Sequence, residues 1–138
     1  IAWHGMVVYH HTDLFQYLTH TKKNPYLAVL QEVSWGALGR IELTYKQSFK
    51  EKGFACIEDS DFFDVLGKQF ELLNQNAGYL QKEFIEDYRQ IADDTFETLF
   101  SDGSIVRVNY SDVSCRIINA KGDLVVDETF ADPMIKKC

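Results

Sequence analysis

The chain has 138 residues, 46% hydrophobic and 14% aromatic, which is enough apolar mass for a packed core and too much for a disordered segment. Its net charge of −7 and pI near 5.0 exclude a nucleic-acid or anionic-membrane surface, where Lys and Arg must neutralise phosphate. No apolar run approaches the ~20 residues of a membrane span, and Cys56, Cys115 and Cys138 form no Cys-x-x-Cys pair for zinc, so free thiols and a reducing compartment such as the cytoplasm are expected.

Met6-Val7-Val8-Tyr9 is an apolar run of buried-strand length. His10, His11 and Asp13 follow directly, which predicts titratable residues just past a strand end, where α/β folds put their chemistry. Such a strand needs neighbours on both edges and nothing before it supplies one. The chain therefore reads as the last units of a larger protein, or as one partner in an assembly. Asn24-Pro25 signals a helix start, with Asn as N-cap and Pro at the first helical position. Tyr26, Leu27, Leu30, Val33 and Ala37 follow at helical spacing, and Gly36 and Gly39 end the element. Ile41 to Tyr45 then alternates apolar and polar as a strand does. Strand, helix and strand together make one parallel βαβ unit.

From Asp59-Ser60-Asp61 onward, Phe63, Leu66, Phe70, Leu73, Ala77, Leu80, Phe84, Tyr88 and Ile91 recur at threes and fours. The spacing predicts a helix of ~30 residues, ~45 Å long, laid across its own domain, with a coiled coil as the alternative. After Asp93-Asp94, read as a helix exit that begins a turn, the period switches to two. Thr95–Phe100 and Ile105–Tyr110 flank Ser101-Asp102-Gly103-Ser104, and Val113–Ile118 and Leu124–Phe130 flank Asn119-Ala120-Lys121-Gly122. Both turns are hairpin signals, so four antiparallel strands are expected in a meander. The expected division is 1–58, 59–93 and 94–138, with the joint near 92–95.

The run Phe96-Glu97-Thr98-Leu99-Phe100-Ser101-Asp102-Gly103, returning through Ile105-Val106-Arg107-Val108-Asn109-Tyr110, carries a resemblance together with His4-Gly5, Glu42-Leu43-Thr44-Tyr45 and Tyr88-Arg89-Gln90-Ile91-Ala92-Asp93. It resembles the C-terminal end of large bacterial glycoside-hydrolase-like proteins of mostly unassigned substrate, in which a (β/α)8-type barrel precedes a small β domain. The resemblance implies a mixed α/β and α+β fold: the terminal βα units of a barrel over 1–58, a long packing helix, and a small antiparallel sheet. It also implies hydrolysis of glycosidic bonds by paired carboxylates mostly supplied upstream, a carbohydrate ligand for the full-length protein, and an inactive fragment when isolated, while the uncovered strand edge is expected to make that isolated chain self-associate. The alternative is a free-standing interaction module that uses the long helix and the meander without catalysis.

Asp13 and Glu42 are the carboxylates best placed for such chemistry, which needs an acid and a nucleophile or base ~5 to 9 Å apart. Asp13 follows one predicted strand and Glu42 sits in the next, though alternation with Ile41 and Leu43 turns Glu42 outward on a two-layer sheet. His4, His10 and Tyr45 are the expected substrate contacts, Tyr45 because it ends a strand and opens a polar loop. His10 and His11 point to opposite faces, so no metal is assigned to them, and no cofactor is expected. The sequence contains no phosphate-binding loop, dinucleotide fingerprint or nucleophile elbow.

Overall fold

In a computed structural model of the chain, which describes residues 10–13, 24–40 and 60–133, two parallel strands flank a helix and an antiparallel meander follows. The parallel pair is β1 (His10–Asp13) and β2 (Leu38–Arg40), in register at His10 with Leu38 and at Asp13 with Arg40. Helix α1 (Tyr26–Ser34) connects them. The expected order of strand, helix and parallel strand is therefore present, with two shifts. His10, His11 and Asp13, expected beyond a strand, lie within β1. Gly39, expected as a helix stop, lies within β2. Met6–Tyr9 and Ile41–Tyr45 fall outside the described residues.

Local chemistry explains both ends of α1. The Tyr26 N–H donates to Asn24 Oδ1 at 3.0 Å, so Asn24 caps the helix and Pro25 occupies its first position, where a missing N–H costs nothing. At the other end Gly36 has φ +59, the Gly36 N–H donates to Val33 O and the Ala37 N–H to Glu32 O. That pair of bonds is a Schellman closure, and glycine is the residue that takes its left-handed position without strain.

The single long helix is corrected. Helix α2 runs from Ser60 to Phe70, continues as a π-helical stretch over Glu71–Asn76, and tightens into a 3₁₀ segment over Gly78–Lys82. Glu83 is extended, and Ile85–Ala92 forms strand β3. The spacing of Phe84, Tyr88 and Ile91 therefore does not mark a helical seam. Ile85, Tyr88 and Ile91 are strand formers, and pairing along β4 outweighs the helical period. Asp93 and Asp94 form the two-residue turn of a hairpin, with Asp94 at φ +50. The expected joint near 92–95 falls at this turn, inside the five-stranded sheet.

The expected four-strand meander is present as β4 (Thr95–Phe100), β5 (Ile105–Asn109), β6 (Ser114–Ile118) and β7 (Leu124–Thr129), and β3 adds a fifth strand at its edge. Asp102 shapes the first predicted turn by accepting from the Ser104 N–H and hydroxyl, with Gly103 at φ +89. Asn119 shapes the second, its Oδ1 accepting from the Lys121 and Asp123 N–H groups.

One face of the sheet buries Phe100, Val106, Val108, Cys115, Ile117 and Val126 against Val29, Leu30 and Val33 of α1 and Val65, Leu72, Leu73 and Leu80 of the helical run. The Thr98 hydroxyl donates to Ser34 O at 2.6 Å, and Tyr26 stacks on Phe130 at 4.8 Å between ring centroids. The βαβ unit and the meander thus share one core.

Candidate functional site

Of the expected site residues, Asp13 and His10 are described and both belong to β1. Asp13 is the last residue of the strand and pairs in register with Arg40, the last residue of β2. An aspartate and an arginine therefore stand side by side at the carboxyl ends of two parallel strands, the end where α/β sheets carry ligands and catalytic groups. His10 lies three residues back, ~10 Å along the strand at ~3.3 Å per residue, so the strand does not bring it to the Asp13 end. His4, Glu42 and Tyr45 lie outside the described residues.

Beneath β2 lies a polar group that sequence reasoning missed. Glu32 is 1% exposed on the inner side of α1, and the Gln69 Nε2 amide, itself 2% exposed, donates to its Oε2 at 2.9 Å. Glu32 occupies the helix position just before Val33, so its burial follows from how α1 docks and not from any motif. A carboxylate this deep is retained only when hydrogen-bonded. The Gln69 amide packs against Gly39, where an added methyl carbon would lie 2.8 Å from Nε2 and 2.9 Å from Cδ. The bare backbone of β2 makes room for the amide that holds Glu32.

The outer face of the meander carries a second feature. Residues Arg89, Glu97, Arg107, Arg116 and Asp127 are register partners in turn from β3 to β7, so they form one row across all five strands. Arg89 Nη2 donates to Glu97 Oε1 at 2.7 Å and Arg107 Nε to Glu97 Oε2 at 2.6 Å. Arg116 Nη2 donates to Asp127 Oδ2 at 2.8 Å. Bonds from Arg89 first, and Arg107 next, hold the Glu97 carboxyl below the usual carboxylate range against the opposing effect of its burial. Beside this row, Arg107 and Arg116 line an open depression of ≈ 180 Å³ together with Thr95, Asn109, Ser114 and Asp127.

Two further groups of the sheet stay neutral at neutral pH. Burial pushes the Cys115 thiol and the Tyr110 phenol each up to about 12. Lys68 bridges Glu128 and Glu71, and its bond to Glu128 raises its pKa, which fastens α2 to β7. Among the described residues no cluster of three or more His, Cys, Asp or Glu could hold a metal ion, and no helix is long and apolar enough to cross a membrane. Comparison with family models finds no match, and comparison with curated proteins and with solved structures finds none.

Proposed function

We propose that this chain is the closing portion of a glycoside-hydrolase-like protein that cleaves glycosidic bonds by paired carboxylates. Asp13 contributes to one rim of its pocket. One observation carries the reading: Asp13 sits at the carboxyl end of a parallel strand, next to the end of a second strand reached through a helix. That is the position of working residues in a (β/α)-type barrel, where helices cover the sheet and further strands pair along its edges. The meander, packed on the same core through the contact of Thr98 with Ser34, is the stabilising module that follows. Glu42, His4, His10 and Tyr45 belong to this proposal as the second carboxylate and the substrate contacts.

The test uses the natural gene product, captured from its source and weighed, then assayed on a panel of aryl glycosides. The expected product is several times heavier than 15.9 kDa, and Asp13→Asn lowers its kcat by ~10²–10⁴-fold with the fold intact. A natural product of 15.9 kDa, or an Asp13→Asn protein as active as its parent, removes the reading.

A second reading, an interaction module without catalysis, has one observation behind it. Phe63 and Phe70 are 44% and 56% exposed and stand two turns apart on α2, with Gly67 between them. A face of that kind supports self-association of the isolated chain. If it does so, Phe63→Ser with Phe70→Ser converts a dimer to a monomer in light scattering.

A further inference from the structure

Arg107 and Arg116 are direct register partners on β5 and β6. Like charges placed opposite one another on a sheet repel, and nothing in the pairing offsets this between them. Each pairs with a carboxylate on its other neighbouring strand: Glu97 for Arg107, and for Arg116 Asp127, which itself lines the depression. Each guanidinium has five N–H donors and commits one to that partner, Nε for Arg107 and Nη2 for Arg116. Both arginines line the depression, and each has N–H donors beyond the one its partner takes. Ser114 lines the same depression, and its hydroxyl makes no hydrogen bond within the described chain. Asn109, by contrast, is held in place: its amide donates to Thr95 Oγ1 at 2.9 Å and its Oδ1 accepts from the Asp112 N–H at 2.7 Å.

The row has three arginines and two carboxylates, with Asp87 3.7 Å from Arg89 at its outer end. Counting Asp87, three carboxylates balance three arginines, and only at the centre of the row do two arginines, Arg107 and Arg116, stand next to each other with no carboxylate between them.

We propose that this depression binds a small oxyanion, a carboxylate or sulfate such as an acidic saccharide carries, through Arg107, Arg116 and Ser114. Guanidinium pairs suit this chemistry because their planar forks match carboxylate and sulfate oxygens. The size agrees. At ≈ 180 Å³ the depression is smaller than the ~300–1,000 Å³ of pockets for drug-sized ligands, so it takes one charged group and not an extended chain. The site lies on the meander and stands whether or not the parallel strands belong to a glycosidase.

The test is an NMR titration of the isotope-labelled full chain with glucuronate, sulfate, orthophosphate and glucose in turn, at constant ionic strength. The Arg107 and Arg116 Nε–H signals and the Ser114 amide are followed. Saturable shifts with an anion and none with glucose support the site. Tighter binding of glucuronate identifies a carboxylate source, and tighter binding of sulfate or phosphate a tetrahedral one. Arg116→Gln is expected to weaken binding about tenfold or more, the value of one charge-assisted bond. Asp127→Asn, which releases Arg116 and removes a negative charge, is expected to tighten it several-fold. Equal shifts with glucose, no saturable shift with any of the three anions, or unchanged affinity in Arg116→Gln overturns the proposal.

Discussion

Replacing Glu97 by Gln isolates the charge of the row from its shape. Glu97 accepts one N–H from each of two arginines, and its side chain is 8% exposed while those of Arg89 and Arg107 are 62% and 41% exposed. A buried charge-assisted bond contributes ~1.5–3 kcal/mol and an exposed ion pair ~0.2–1 kcal/mol. With a buried acceptor and solvated donors each bond falls between, at about 1 kcal/mol, so Glu97→Gln costs about 2 kcal/mol. The pH dependence has a definite sign. The folded carboxyl has its pKa lowered, so its contribution is present above the unfolded value of ~4.3 and is lost as pH falls through the folded value. Urea unfolding of parent and variant should therefore differ by about 2 kcal/mol at neutral pH, and the difference should shrink steadily below pH ~5. Concentrated salt should narrow the gap without closing it, because the carboxylate is buried. A variant within ~0.5 kcal/mol of the parent at neutral pH, or a difference indifferent to pH, refutes the reasoning.

Two alanine substitutions should have opposite signs. Gly39→Ala drives a methyl group into Gln69, which cannot retreat without releasing Glu32, and should destabilise by ~2–4 kcal/mol in urea unfolding. Gly67→Ala meets nothing within 4 Å on the exposed side of α2 and should stabilise by ~0.5–1 kcal/mol. Cys115, buried with its thiol pushed up to about 12, should resist an aromatic disulfide reagent at mildly alkaline pH in a chain carrying Cys56→Ser and Cys138→Ser. It should react at once on unfolding, and rapid native labelling would show that the inner face of β6 opens to solvent.

The legible parts of the fold were those with a local chemical cause. Asn24-Pro25 and Gly36 bound α1 because a cap and a left-handed glycine act over three or four residues. Asp102-Gly103 and Asn119 to Gly122 bound hairpins for the same reason. What failed was the segment after Lys82. Phe84, Tyr88 and Ile91 fit a period of 3.6, and nothing local says that β4 will pair with them. The helical run does hint at its own end, since Ala77 and Gly78 stand where π-helical geometry gives way to a 3₁₀ turn. The limits of the parallel strands were misplaced for a related reason. A buried strand pattern has no internal marker of its limits, so the histidines and Asp13 fell into β1 instead of beyond it.

The charged row was half legible. Glu97 and Arg107 stand five residues on either side of Asp102, and once Asp102-Gly103 is a hairpin turn that symmetry alone makes them partners. Arg116 follows by counting back from the β5–β6 turn, where Asn109 pairs with Ser114. Asp127 is harder, because an irregularity between Ile117 and Ile118 shifts the register that the Gly122 turn sets. Arg89 was hidden altogether once its segment read as helix. Alternation puts each of these residues outward on its own strand, but only register aligns them, and register is a property of turn length and bulges. The opposed arginines at the centre follow from the same arithmetic. Any change of one residue in the β5–β6 turn would slide Arg107 off Arg116 and dismantle the anion site while leaving every strand in place.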